Sequence, residues 1–172
     1  MESIIKKKLV KNWFKTLQDV LCKEIEELEG KSNLFKYKNW ERGKNSKEGG
    51  GQFRIYENGK IFEKVGVNFS EVYGSFSKKF RHKIPGASKN PKFWASGISV
   101  VMHMKNPHIP AMHFNTRYIY TSHGWFGGGM DVTPCLKDKK LEKWFHSELK
   151  NSCDKFNKNY YIKYKKWCDK YF

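Results

Sequence analysis

The spacing of apolar residues predicts three helices along the chain. Near the N-terminus apolar residues recur three and four positions apart, which predicts a helix over residues 3–29 that ends at Gly30. The stripe expected to pack on the rest of the protein comprises Ile5, Leu9, Trp13, Leu17, Val20, Leu21, Ile25 and Leu28. The same spacing predicts helices over residues 137–153 and 157–172.

Short runs of β-branched and aromatic residues between these helices predict strands. Residues 52–57 and 60–69 flank Asn58-Gly59, a pair typical of a two-residue type I′ turn, and therefore predict a hairpin. Residues 35–51, which end in three glycines, and residues 75–92 are expected to be loops.

Two further strands are predicted over residues 94–103 and 111–120, joined by a connector that contains two prolines. Side chains alternate between the two faces of a strand, so polar residues two positions apart share a face. If the two strands pair, one surface combines a hydroxyl, an amide, a guanidinium and two imidazoles, from Ser99, Asn115, Arg117, His103 and His113. Such a surface has the composition of a functional site.

A glycine-rich segment over residues 125–134 follows these strands and is expected to form a turn that lets the backbone approach a ligand. It contains Asp131, whose carboxylate can accept hydrogen bonds. Arg117 is one of only four arginines in the chain, and its planar guanidinium suits bidentate binding of a carboxylate. Two roles are open for Arg117 at this point: an anionic ligand, or a salt bridge to a residue such as Asp131.

The formal net charge of +17 on 172 residues favours an anionic partner, namely nucleic acid, a phosphate surface or a polycarboxylate. A drift of composition toward lysine and asparagine explains the same charge without any partner. The length is enough for one domain, expected over residues 1–172.

No apolar run is long enough for a membrane span, and the N-terminus fits neither a secretory signal nor a transit peptide. We therefore expect a cytoplasmic protein. The four cysteines form no CxxC pair, so reduced thiols, buried or half-buried, are expected rather than a zinc site.

Three histidines, His103, His113 and His146, are candidates for metal binding or proton transfer, because neutral imidazole serves both purposes near pH 7. Their separations of 10 and 33 residues match no compact metal motif. Purely structural histidines are the alternative.

Several motifs carry a resemblance to a known family. In chain order they are Gly49-Gly50-Gly51 and residues 59–70, 97–103, 106–110, 113–118, 125–134, 145–146 and 165–172. In these residues the chain resembles the oxygen-dependent coproporphyrinogen III oxidases over nearly its whole length.

The resemblance implies an α+β fold with a large antiparallel sheet flanked by helices. It implies oxidative decarboxylation of coproporphyrinogen III to protoporphyrinogen IX in haem biosynthesis, in which two propionates become vinyl groups. The reaction uses O2 and no organic cofactor, and a divalent metal ion such as Mn²⁺ is implied for bacterial members. The family is homodimeric. Its substrate is a tetracarboxylate, which suits Arg117 and a basic surface, and a nucleic-acid partner is not expected.

Roles for individual residues also follow from the resemblance. Substrate binding is implied for Ser99, Asn115, Thr116 and Arg117. His113 corresponds to the proton donor, and Asp131 to the acidic residue that engages the pyrrole nitrogens. Metal binding is implied for His103, His113 and His146. Thr116 alternates onto the opposite face of its strand, so a contact through its backbone is expected.

The chain corresponds to roughly the N-terminal 55–60% of the family's length, so the C-terminal part of the family fold is expected to be missing. Activity would then come from this chain or from this chain with a complementing C-terminal polypeptide. The alternative is an inactive fragment that acts at most as a basic polyanion- or porphyrin-binding protein.

Overall fold

A computed structural model describes residues 2–44 and 47–171, which fall into two compact units, Met1–Cys135 and Leu136–Phe172. The first unit contains, in chain order, α1 (Glu2–Glu29), β1 (Lys36–Glu41), β2 (Gly49–Glu57), β3 (Phe62–Ser75), the single turn α2 (Lys78–Arg81), β4 (Lys92–Met104), β5 (Ala111–Tyr120) and β6 (Gly124–Thr133). The second contains α3 (Lys139–Asp154) and α4 (Tyr160–Tyr171). The expectation of one domain over residues 1–172 stays a prediction.

The six strands form one sheet in the order β1-β2-β3-β4-β5-β6, and each strand is antiparallel to its neighbours. Helix α1 contacts β3 and β4. The prediction of an α+β fold with a large antiparallel sheet and helices is confirmed. No helix among the described residues has the length and apolar character needed to cross a membrane.

The core lies between α1 and one face of the sheet, the core face. Alternation along β3 and β4 places Val65, Val67 and Ile98 on this face, where each is at most 2% exposed. Phe14 of α1 is fully buried, and Ile25 lies in the same cluster. Removing each such side chain from water contributes about 1.5–3 kcal/mol to the free energy of folding. The packing of α1 therefore occupies one face of the sheet, and the opposite face is left to carry a functional site.

The predicted packing stripe of α1 is wrong for most of its members. Ile25 is buried and Leu17 and Leu21 are partly buried. The other five are exposed, namely Ile5, Leu9, Trp13, Val20 and Leu28.

The helix instead buries a stripe that includes Val10, Phe14 and Gln18. The Gln18 amide donates hydrogen bonds to the carbonyl oxygens of Val67 at 2.8 Å and Gln52 at 3.0 Å. A buried polar side chain with both bonds made carries little desolvation penalty. Apolar spacing alone could not choose between the two stripes, because the stripe that packs contains this glutamine.

Two segments predicted as loops contribute strands or helix. Residues 36–41 form β1, a polar strand at one edge of the sheet. The glycines at 49–51 open β2 and pair with both β1 and β3. Residues 78–81 form the turn α2. An edge strand is held by main-chain hydrogen bonds to its neighbour, so β1 needs no alternation of apolar residues.

The β2–β3 hairpin is confirmed, but its turn is not the predicted two-residue type I′ turn. The connection runs over residues 58–61, and of the predicted pair only Asn58 has a positive φ, 61°. The backbone N–H groups of Lys60, Ile61 and Phe62 donate to the Glu29 carboxylate at 2.7, 3.0 and 2.8 Å. A Cβ at Gly59 would collide with that carboxylate. Glycine is therefore required here for close approach and not for its φ.

Replacing Glu29 by alanine is expected to lower the free energy of unfolding at pH 7 by about 3 kcal/mol, because three backbone donors lose a charged acceptor. Burial raises the pKa of the Glu29 carboxyl, but these donors together with the Tyr56 hydroxyl outweigh burial and hold the pKa below its ordinary value. This stabilisation is present above the carboxyl pKa of the unfolded chain and is lost as pH falls through the lowered folded-state pKa.

Urea unfolding of the wild type and the variant between pH 2 and pH 7 measures this difference. Glu27→Ala is the control, because Glu27 makes only an exposed ion pair with Lys23 at 3.7 Å and should contribute less than about 1 kcal/mol. Equal losses in the two variants would contradict the role of Glu29.

The second unit consists of the two predicted C-terminal helices. The Asp138 side chain caps α3 by accepting hydrogen bonds from the backbone N–H groups of Lys140 at 2.8 Å and Leu141 at 3.1 Å. Both helices are confirmed with shifted bounds, and the predicted end of the last helix at Phe172 lies outside the described residues.

All four cysteines are free. Cys22 is buried and Cys153 half-buried as expected, whereas Cys135 and Cys168 are exposed.

Candidate active site

The face of the sheet opposite α1, here called the polar face, carries the predicted site residues of β4, β5 and β6 except Thr116. In its middle row Ser99 of β4 lies opposite Asn115 of β5, and Asn115 lies opposite Gly129 of β6. Neighbouring strands are about 4.8 Å apart, so these residues stand side by side. The predicted pairing of the two strands and their common polar face is confirmed.

The next row joins two of the candidate residues directly. Val101 lies opposite His113, which lies opposite Asp131. The His113 Nδ1 atom is 2.9 Å from Asp131 Oδ1, and the two side chains are 38% and 41% exposed. The ring of His103 lies 6.4 Å from the ring of His113, edge to face. One imidazole is thus paired with a carboxylate, and a second lies beside it.

This pairing determines which nitrogen of His113 is available for chemistry. A carboxylate next to Nδ1 holds the proton on that atom, so Nε2 is left to bind or transfer a proton. Asp131 reaches His113 because residues 124–133 form strand β6. The prediction of a glycine-rich turn here is wrong: the glycines are strand residues, and they carry no apolar alternation that would mark a strand.

The Arg117 guanidinium bonds to the side-chain amide of Asn115 and not to a carboxylate. Its Nη2 donates to Asn115 Oδ1 at 2.6 Å, and within the described residues it makes no ion pair. The alternative of a salt bridge to Asp131 is not formed, because Asp131 pairs with His113. The remaining N–H groups of the guanidinium can bind an anion, and the N–H groups of Asn115 point away from its bonded oxygen.

Thr116 lies on the core face, as its position in the strand predicted. It pairs with Ile98 and Gly128. A Cβ at Gly128 would collide with the Asn115 carbonyl oxygen, so the close approach of β5 and β6 requires glycine there. Gly127 and Gly129 have nothing near their Cβ positions. The substrate-binding role of Thr116 stays a prediction, and the contact would be made by its backbone atoms.

His146 lies in the second unit, where its Nδ1 is 3.1 Å from the Tyr161 hydroxyl oxygen. Across residues 2–44 and 47–171, no three or more His, Cys, Asp or Glu side chains are grouped so that they could hold a metal ion. The assignment of His103, His113 and His146 to a divalent metal stays a prediction.

The predicted site residues lie away from two depressions in the part of the chain that the structure describes. Two depressions, of about 330 and 210 Å³, are lined by other residues, including Lys36 and Phe53 in one and Lys11 and Gly50 in the other. None of the predicted site residues lines either depression.

One residue of the polar face was not singled out by sequence reasoning. Asn68 of β3 lies opposite Ser99, in the row that continues to Asn115. The predicted strand over residues 60–69 contained it, but nothing in the sequence indicated that this strand pairs with the strand of Ser99.

Comparison with known proteins adds a family to this geometry. The family model described as coproporphyrinogen III oxidase matches residues 9–172. The oxygen-dependent coproporphyrinogen-III oxidase of Rickettsia akari is 48% identical over 174 residues, which cover 96% of this chain and 61% of that protein. Those of Rickettsia africae and Rickettsia bellii are 47% and 48% identical, over 99% and 96% of this chain and 62% and 61% of their own lengths. The chain therefore spans about six tenths of the length of these relatives.

Proposed function

The chain belongs to the coproporphyrinogen III oxidase family, and on this premise we propose that it catalyses, alone or with a complementing polypeptide, the oxygen-dependent conversion of coproporphyrinogen III to protoporphyrinogen IX in haem biosynthesis. The observation that carries this proposal is the polar face, where His113 pairs with Asp131 beside Ser99, Asn115 and Arg117. In the reaction each of two propionate arms loses its carboxyl group as CO2 and one hydrogen from the carbon attached to the pyrrole ring, and for each arm one O2 accepts the two electrons and two protons to become H2O2.

Substrate carboxylates would be held by Arg117, Asn115 and Ser99. The guanidinium supplies a charged fork, and the amide and hydroxyl supply further donors in the adjacent positions. Thr116 would contribute through its backbone. The Arg117–Asn115 hydrogen bond supports this role, because it fixes both donors in one orientation before the ligand arrives.

His113 and Asp131 would act as a pair. Asp131 Oδ1 accepts from His113, which leaves Oδ2 to accept a hydrogen bond from a pyrrole N–H of the substrate. His113 would move a proton at Nε2 as CO2 leaves, the usual task of an imidazole near neutral pH. The same carboxylate would thus orient both the substrate and the catalytic imidazole.

A divalent ion such as Mn²⁺ would be held by His103, His113 and His146 and would supply Lewis acidity when bound. The steps proposed here use only the side chains of the polar face. The chemistry uses O2 and no organic cofactor.

We also propose a homodimer, as in the family, and a cytoplasmic location. A complementing C-terminal polypeptide is a further proposed partner, supported by the greater length of the relatives.

The test is protoporphyrinogen formation from coproporphyrinogen III in air, measured by porphyrin fluorescence after oxidation. The purified chain is assayed alone and with the separately expressed C-terminal portion of the Rickettsia akari relative, and an anaerobic sample controls for oxygen dependence. Product in either case supports the proposed function. No product in both, together with salt-dependent DNA binding and no tetrapyrrole binding, would instead indicate a basic binding protein.

A further inference from the structure

Asn68 is a polar residue in the middle of the sheet. It lies in β3, an interior strand, and asparagine is depleted in strands because its side chain competes with the backbone for hydrogen bonds. Its sequence neighbours Val67 and Phe69 are buried on the core face, so Asn68 is on the polar face. Among the described residues its amide makes no hydrogen bond.

The position of Asn68 extends the candidate site by one strand. Asn68 faces Ser99 across β3 and β4, and Ser99 faces Asn115 across β4 and β5. Side chains directly opposite each other in antiparallel strands have Cβ atoms about 5 Å apart. The three side chains therefore form a row about 10 Å long across three strands.

All three side chains in this row can donate hydrogen bonds. Arg117 occupies the Asn115 carbonyl oxygen, which leaves the N–H groups of Asn115 for a ligand. Ser99 supplies a hydroxyl, and Asn68 supplies a second amide. A carboxylate has four acceptor positions and can bind two such neighbours together.

We propose that Asn68 is a substrate-binding residue that donates a hydrogen bond to a propionate carboxylate shared with Ser99. This inference rests on the proposed function, since it names a further residue of the same site. It also assigns the substrate a position: the ligand lies over β3 as well as over β4 and β5.

The test is binding of coproporphyrin III, the fluorescent tetracarboxylate porphyrin, titrated with the full chain. Asn68→Ala is expected to weaken binding about tenfold, since a hydrogen bond to a charged group is lost. Asn68→Asp should weaken it about a hundredfold, because two carboxylates then face each other. Asn39→Ala is the matched control: Asn39 is an exposed strand asparagine on the core face, bonded to Gln52, and its loss should leave binding unchanged.

The neutral tetramethyl ester of the same porphyrin separates a carboxylate contact from a general change in the sheet. Asn68→Ala should weaken ester binding less than acid binding, because a neutral ester carbonyl accepts a weaker hydrogen bond than a carboxylate, and an equal loss for acid and ester would overturn the inference. Wild-type affinity in Asn68→Ala with weakened binding in Arg117→Ala would overturn it too, while the proposed function would stand. No binding by the wild-type chain would count against the proposed function and this inference together. Circular dichroism of each variant verifies that the sheet is formed.

Discussion

His113→Ala is expected to lower the rate of protoporphyrinogen formation about a thousandfold, with substrate binding almost unchanged. A positioned general acid or base contributes about 10²–10⁴ to a rate, and the Asp131 carboxylate 2.9 Å from Nδ1 fixes this imidazole in one tautomer. The measurement is kcat and the apparent substrate constant in the active preparation, whether that is the chain alone or the complemented pair.

The matched control is His108→Ala, an exposed histidine in the β4–β5 connector, which should leave both constants unchanged. Asp131→Asn adds a readout that a structural role would not affect. It keeps the shape of the side chain but replaces the carboxylate that lies 2.9 Å from His113 Nδ1, so kcat should fall while the circular dichroism spectrum stays that of the wild type. A His113→Ala enzyme within about tenfold of the wild-type rate would exclude His113 as the proton carrier.

The second large effect is expected at Arg117. Arg117→Ala should raise the apparent substrate constant about a hundredfold with little change in kcat, because a charged fork is lost from the ground state and the transition state alike. Arg117→Lys should recover only part of the loss, since a point charge cannot bind both carboxylate oxygens in the same geometry.

Arg42→Ala controls for the loss of one positive charge from the chain, because Arg42 pairs with Glu48 at 3.2 Å on the surface. The apparent substrate constant of this variant should lie within about twofold of the wild-type value, since surface ion pairs contribute little to stability. A substrate constant that is the same in Arg117→Ala and the wild type would remove Arg117 from the site.

The strands that carry the site could be predicted because their pattern is strong. β5 occupies the predicted residues 111–120, and β4 extends the predicted strand at both ends. Alternation placed Ser99 and Asn115 on matching faces, and the two are opposite each other in the register. In such strands the buried face fixes the register, and a shift by one residue would expose the core.

The contacts between neighbouring strands could not be predicted from the sequence pattern. That Asp131 binds His113 depends on β6 being a strand, and glycines give no alternation from which a strand could be recognised. That Asn68 stands beside Ser99 depends on β3 pairing with β4, across the long segment of residues 76–91. The packing stripe of α1 was missed for a related reason: Gln18 is buried because the backbone of β2 and β3 offers it acceptors, and this partner is known only in the folded state.

Each strand of the described sheet from β2 to β6 is bonded to the strand that precedes it in the chain. During synthesis each of these strands therefore meets a partner that has already left the ribosome. Contacts of this kind keep the relative contact order low for a β protein, and low contact order is associated with fast folding. The polar face would be assembled in the same sequence, first Asn68, then Ser99 and Asn115, and last Asp131. Of the six strands described, the one that completes the His113–Asp131 pair is thus the last to form.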